Sequence, residues 1–301
     1  MNAIRRTLAI TGRLAPPLAA EVSFRLWRVL GSPERVHERD QAVHERATVG
    51  QLLVGGERVA SYTWGTGSEV ILLVHGWRSR ASRFSAVVQA LESPDRTIVA
   101  FDAPGNGDSS GARVTILDYL DAITQLSRLH GSFEAIVGHS FGALAAFVAV
   151  REGVRTRRII DIAGMYNADQ LVDSFALQAG IRGRAKAGLR RRIGGRTFAG
   201  VDQPFRRFVA EIDPTHTHVP VLVIHDEDDT VVSIAQGDLI ADAHTGPTTV
   251  LRTSGLGHAR ILGDPAVLAA ISSFVELEPA PGHNGQTGQN GQTGHERALA
   301  G

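Results

Sequence analysis

The chain contains no cysteine, which removes disulfides, thiolate metal sites and a cysteine nucleophile from consideration at once. That absence does not fix a compartment. Lysine is nearly missing too: Lys186 is the only one, so basic charge is almost all arginine, read here as codon usage rather than a demand for bidentate anion binding. Neither sign of charge is in excess. The 31 basic and 31 acidic side chains give a formal net charge of zero, so no overall field favours nucleic acid, an acidic surface or a membrane. No stretch approaches the ~20 consecutive apolar residues of a membrane-spanning helix. The basic first six residues and the apolar residues 7–10 faintly resemble a signal peptide, but Arg13 and the Pro16-Pro17 pair cut the apolar run short. The reading is a soluble, cytoplasmic chain in preference to a secreted one.

What is present is an ordinary globular balance, 43% hydrophobic and 21% charged over 301 residues, enough for one large domain or two small ones. The most informative stretch is Gly138-His139-Ser140-Phe141-Gly142. An apolar run, Ala135-Ile136-Val137, reads as a buried strand before it, and residues 143–150 read as a helix after it. G-x-S-x-G between strand and helix is the pattern of a nucleophile elbow, in which small flanking residues let the turn approach its neighbours. The turn lifts the serine Oγ out of the sheet, and the free N–H groups of the helix start point back at it.

Around the pentad, strands are predicted at 58–64, 70–74, 97–101, 158–162, 221–224 and 248–252, and helices at 81–91, 115–129, 231–243 and 265–275. This alternation with fully apolar strands predicts an α/β fold, a mostly parallel sheet with helices on both faces. Residues 165–217 break the rhythm. They hold helical pieces but no convincing strand, and are expected to form a helical cap inserted at the ligand end of the sheet. The run from Arg182 to Arg196 in this segment contains no acid, and suits either a solvated lid surface or an anionic ligand. Residues 1–49 read as a helical extension. Leu18, Val22, Leu26, Val29 and Leu30 recur at helical spacing, and this stripe is expected to pack on the main domain rather than on a membrane surface. Residues 34–46 suit a connector or an exposed helix. The 278–301 tail repeats Asn-Gly-Gln-Thr-Gly, has no apolar periodicity and is expected to be disordered.

A serine hydroxyl needs a base within hydrogen-bond reach and a third group to orient that base. Two loops at the correct end of the sheet offer them. The 221–224 strand runs into His225-Asp226-Glu227-Asp228-Asp229, and the 248–252 strand runs into the loop that ends at Gly257-His258. The order serine, acid, histidine is the one an α/β-hydrolase sheet requires. His216-x-His218 with His225 makes a poor metal site, because no carboxylate partner or regular helical or strand geometry accompanies it.

With those pieces in place, residues 50–277 resemble the α/β-hydrolase fold superfamily. The Val70–Val74 strand with His75-Gly76-Trp77 is similar to its oxyanion strand and loop, and Asp102-Ala103-Pro104-Gly105-Asn106-Gly107-Asp108-Ser109 to its D-x-P-G-x-G-x-S loop. Asn106 departs from the family's usual histidine. The resemblance implies a triad of Ser140, Asp229 and His258. Asp229 matches because the family's acid lies three residues after a glycine, whose position Asp226 takes, and just before a pair such as Val231-Val232. Asp228 is the alternative acid. The resemblance also implies an oxyanion hole from the backbone N–H groups of Trp77 and Phe141. It implies a serine hydrolase cleaving a carboxylic ester, with no metal or organic cofactor, acting on a small-molecule acyl substrate. Thioester, amide or carbon–carbon hydrolysis, perhydrolysis, and a non-catalytic binding protein are the alternatives. The sequence leaves the oligomeric state open.

Overall fold

The computed structural model describes residues 2–29, 31–212 and 219–277. Leu30, His216, His218 and the 278–301 tail, about which the sequence raised expectations, lie outside the described residues. At the centre is an eight-stranded sheet in the order β1-β2-β4-β3-β5-β6-β7-β8. Its strands are β1 (Thr48–Val54), β2 (Glu57–Gly65), β3 (Glu69–Val74), β4 (Arg96–Phe101), β5 (Ala135–His139), β6 (Ile159–Ile162), β7 (Val221–Asp226) and β8 (Thr248–Thr253). The β1–β2 and β2–β4 pairings are antiparallel and the rest are parallel. The carboxyl ends of β3, β4, β5, β6, β7 and β8 therefore share one edge, which is where such sheets hold ligands.

Helices α1 (Asn2–Leu14), α2 (Pro16–Trp27) and α3 (Glu38–Glu45) precede the sheet. Helices α4 (Ser85–Leu91), α5 (Ile116–His130) and α6 (Phe141–Arg151) lie between its strands, and α7 (Ala168–Ala179), α8 (Gly183–Arg192) and α9 (Pro204–Arg207) fill the insertion between β6 and β7. Helices α10 (Ile234–Ala243), α11 (Gly257–Arg260) and α12 (Pro265–Glu276) follow β7 and β8. Side chains alternate across each strand and so serve two cores. On β3, Leu72 and Val74 join the core with α5 and α6, whereas Ile71 and Leu73 join the one with α4 and α12.

Strand β1 was not anticipated. It is an edge strand carrying Gly50, with Val49 and Leu53 exposed and only Leu52 and Val54 buried, so its one-sided pattern is weak. Helix α10 begins at Ile234 rather than at 231, because the Asp229 carboxylate takes the backbone N–H groups of Val231 and Val232 and Ser233 caps the helix. At α5 the expected start holds, with Thr115 and Asp118 forming a reciprocal capping box.

The largest correction concerns α2. Its predicted inward stripe faces outward: Leu18 and Val29 are 56% and 59% exposed, and Val22 and Leu26 are exposed as well. The buried face is Ala19, Ala20, Ser23, Phe24 and Trp27. Small residues let α2 lie close on α8, where a Cβ added to Gly188 would stand 2.8 Å from the Ala20 methyl. Close approach of the backbones, rather than large apolar side chains, sets the docked face. The arginine run of α8 is also less free than its sequence implied. Arg190 pairs with Asp169, Lys186 with Asp173, and Arg192 and Arg196 both reach Glu21 on α2.

One buried group acts against stability. Asp161 on β6 is wholly buried, and neither carboxylate oxygen accepts a well-formed hydrogen bond, the Gly164 amide being its only nearby donor among the described residues. Burial pushes it up to about 8, against a smaller opposing pull from the Gly164 amide. The folded chain thus keeps a proton on Asp161 that the unfolded chain loses near its ordinary value of 3.8, so stability falls as pH rises from about 4 to about 8. An Asp161→Asn chain removes this titration. Its urea midpoint is expected to gain on the parent's between pH 5 and pH 8, by an amount on the order of several kcal/mol in unfolding free energy. Parallel pH profiles of the two chains would refute it.

Candidate active site

Ser140 joins β5 to α6 with φ 55° and ψ −119°, a left-handed conformation that a side-chain-bearing residue holds only when its surroundings enforce it. The enforcement is visible. The Ser140 amide donates to the Ile162 carbonyl at 2.9 Å, and its own carbonyl accepts from the Ala143 amide at 3.1 Å. A Cβ on Gly138 would stand 2.4 Å from the Ala143 Cα, and one on Gly142 would stand 2.1 Å from the Val74 carbonyl oxygen. Both glycines are required by close approach.

His75-Gly76-Trp77 follows β3 on the same edge. A Cβ on Gly76 would lie 3.1 Å from the Ser140 Cβ, so this loop runs directly beside the serine. His75 fixes it. Its Nε2 accepts from the Ala103 amide at 2.9 Å, which leaves Nδ1–H to donate to the Gly76 carbonyl at 2.7 Å. Burial lowers the His75 pKa and keeps the ring neutral, as that pattern requires. The loop after β4 is pinned by the wholly buried Asp102, which accepts from Tyr62 Oη and from the Ala81 and Asp108 amides. Gly107, at φ +47°, is needed there because a Cβ would collide with the Asp102 carboxylate.

The three acids after β7 hold distinct positions. Asp229 is the one brought to His258: its Oδ2 lies 2.7 Å from His258 Nδ1, while its Oδ1 accepts from the Val231 and Val232 amides at 2.8 and 2.9 Å. Burial alone would raise its pKa; the His258 ring and the two amides overcome that and hold it below the ordinary carboxylate value. Asp228 accepts instead from the Gly255 amide and Ser254 Oγ. Asp226, where the family has glycine, accepts four bonds, from Thr253 Oγ1 and from the amides of Leu256, Gly257 and Asp228. Burial opposes its ionisation, yet those donors lower its pKa. Asp226 ties the end of β7 to the loop that presents His258.

His139 makes a contact that the sequence did not announce. Its Nε2 lies 2.9 Å from the His258 carbonyl and its ring packs 4.8 Å from the His258 ring. Burial first, and then the neighbouring His258, push it down to about 3, so it is a neutral donor to that carbonyl. The variable position of a G-x-S-x-G pentad gives no sign of this, because the partner is 119 residues away. His225 sits behind Asp229, 3.6 Å from its Oδ2, with Nε2 bonded to the Val232 carbonyl. Among the described residues, no group of three or more His, Asp or Glu side chains is arranged to hold a metal ion.

Beside the elbow, Trp77 stacks on Trp27 at 5.7 Å and meets Phe141 edge-on at 5.4 Å. With Leu171, Phe198 and Phe205 of the insertion, these rings line an almost wholly apolar cavity of about 20 Å³, room for about one water. Trp27 comes from α2, so the N-terminal extension supplies part of the wall.

The comparisons with known proteins agree with this architecture. A monoacylglycerol lipase from Mycolicibacterium smegmatis is 23% identical over 282 residues, covering 74% of this chain and 94% of that protein. The structure is similar to an esterase, RhEst1, from Rhodococcus sp. ECU1013, with TM-score 0.54 and 16% identity over 76% of this chain and 98% of that one. It is also similar to a proline iminopeptidase from Mycobacterium smegmatis, with TM-score 0.53 and 13% identity over 76% and 97%. Residues 71–271 match the model of the alpha/beta hydrolase family, and the chain belongs to that family.

Proposed function

We propose that this α/β-hydrolase, whose relatives include esterases and lipases, cleaves carboxylic esters through an acyl-enzyme on Ser140. The observation that carries the reading is the 2.7 Å bond between Asp229 and His258 Nδ1, made beside a strained serine turn. A carboxylate on Nδ1 fixes the tautomer that leaves Nε2 free to accept a proton. His258 then takes the Ser140 proton as Oγ attacks the ester carbonyl. The amides of Trp77 and Phe141 hold the oxyanion, a contribution of ~2.7–4 kcal/mol for each donor. As the tetrahedral intermediate collapses, His258 returns the proton to the departing alcohol. Water, deprotonated by His258, releases the acid and restores the serine. The apolar cavity at Trp77 and Phe141 suits the acyl chain. Its small volume means that the rings of α2 and the insertion must part to admit one.

Labelling with a fluorophosphonate tests the nucleophile without presuming a substrate. Covalent phosphonylation mapped to Ser140, slowed by preincubation with a medium-chain ester, is the expected result. Absence of labelling in folded protein would overturn the reading. Relative rates on a series of p-nitrophenyl esters then report how long a chain the cavity accepts.

A further inference from the structure

Docking α2 through Ala19, Ala20, Ser23, Phe24 and Trp27 leaves its other face uncovered. Leu18, Val22 and Leu26, with Val29 just past the end of the helix, form one stripe along that face, each between 38% and 59% exposed. The stripe continues to Leu14 at the α1–α2 turn, at 82% the most exposed large apolar side chain among the described residues, and to Ile10 one turn earlier. Residues scattered singly in this way would need no explanation, but a continuous row does.

The charge on this segment is mostly of one sign. Residues 2–29 carry five arginines, at 5, 6, 13, 25 and 28, and a single acid, Glu21, in a chain whose net charge is zero. Glu21 is already engaged by Arg192, Arg196 and Arg25. Among the described residues, Arg5, Arg6 and Arg13 have no carboxylate partner. Arg5 and Arg13 join Arg182 around a hollow of about 280 Å³ between α1 and the end of α7. No helix among the described residues is long and apolar enough to cross a membrane. An apolar row on short helices that also carry unpaired arginines is the pattern of a segment that lies in the headgroup layer rather than spanning it.

We propose that the α1–α2 hairpin docks the protein on the surface of an anionic lipid bilayer, with the apolar stripe entering the acyl boundary and the unpaired arginines meeting lipid phosphates. A second copy of the chain fits less well, because a two-fold contact through this face would set its arginine excess against itself. Trp27, on the opposite side of the same helix, lines the cavity beside Phe141. A docked molecule therefore has its proposed acyl site one helix away from the lipid. The docking itself does not depend on the hydrolase reading.

Sedimentation of the full chain carrying Ser140→Ala with vesicles measures docking without turnover. Binding to phosphatidylcholine vesicles containing phosphatidylglycerol is expected to exceed binding to phosphatidylcholine alone by at least about tenfold and to weaken with salt. Adding Leu18→Ser and Leu26→Ser, which change no charge, is expected to reduce partitioning by about tenfold or more. In the Ser140 chain the same two substitutions leave hydrolysis of a water-soluble short-chain ester within about twofold, since surface changes away from the site are close to neutral. Three results would overturn the proposal: no binding to either vesicle, equal binding by the serine variant, or a vesicle-free dimer that the two serines disperse. Because binding is read without catalysis, a chain that docks but hydrolyses nothing refutes only the esterase reading.

Discussion

Ser140→Ala is expected to lower kcat for a p-nitrophenyl ester by about a million-fold, the scale at which loss of a triad serine removes covalent catalysis altogether. Only the residual acceleration from binding and from the oxyanion donors should persist, roughly 10³–10⁴ over water. The fold is expected to survive the change. Ser140 is 5% exposed and its turn is held by backbone bonds to Ile162 and Ala143 and by the close approach of Gly138 and Gly142, none of which uses the hydroxyl. The urea midpoint should therefore stay close to the parent's, within about 0.5 kcal/mol in unfolding free energy. That pairing of results separates a missing nucleophile from a damaged protein. A variant keeping even a tenth of the parent's kcat would show that the chemistry runs through another group. A variant that lost activity and stability together would leave the glycine-framed turn, rather than the hydroxyl, as the cause; Ser140→Gly, which relieves the positive φ, would then restore folding without activity.

The pieces of this site were legible in the sequence to different degrees, for physical reasons. The elbow could be read because its demands are local: a buried strand, a serine at positive φ, and two glycines where any Cβ meets backbone. The inner strands β3 to β7 could be read because burial on both faces makes them nearly continuously apolar. The face of α2 could not, because the sequence marks it by small residues, and Ala19, Ala20 and Ser23 reveal their role only against Gly188 on α8. The arginine run of α8 concealed its partners in the same way, since Glu21, Asp169 and Asp173 lie on other helices. His139 and Asp226 escaped notice as positioning groups because each works through a loop far away in the chain. For Asp226 there was a hint, an acid where the family has glycine, but whether it repels or organises depends on four donors that only the folded loops supply.

The three neighbouring acids give the second large effect and a graded test of the assignment. Asp229→Asn is expected to reduce kcat by about 10⁴-fold, because an amide can offer its N–H₂ to His258 Nδ1 and so stabilise the tautomer with the proton on the wrong nitrogen. It also removes the charge that balances the imidazolium in the transition state. Asp228→Asn touches neither; it loses charge opposite Ser254 and Gly255 on an exposed loop and should cost no more than a few-fold. Asp226→Asn falls between them. Its carboxylate gathers four donors, and an amide oxygen can accept from only one side of that set while its N–H₂ group faces the other donors, so the loop before His258 loosens. The expected signature is a drop of about tenfold to a hundredfold in kcat, the scale at which a displaced catalytic group loses its alignment. Fluorophosphonate labelling of Ser140 should be slowed in the same order. Should Asp228→Asn prove the most damaging of the three, the acid of the triad has been misassigned, and the Asp229–His258 bond is a structural contact. Asp229→Asn and Asp226→Asn giving equal losses would instead mean that both act only by holding the histidine loop, with no charge needed at Nδ1.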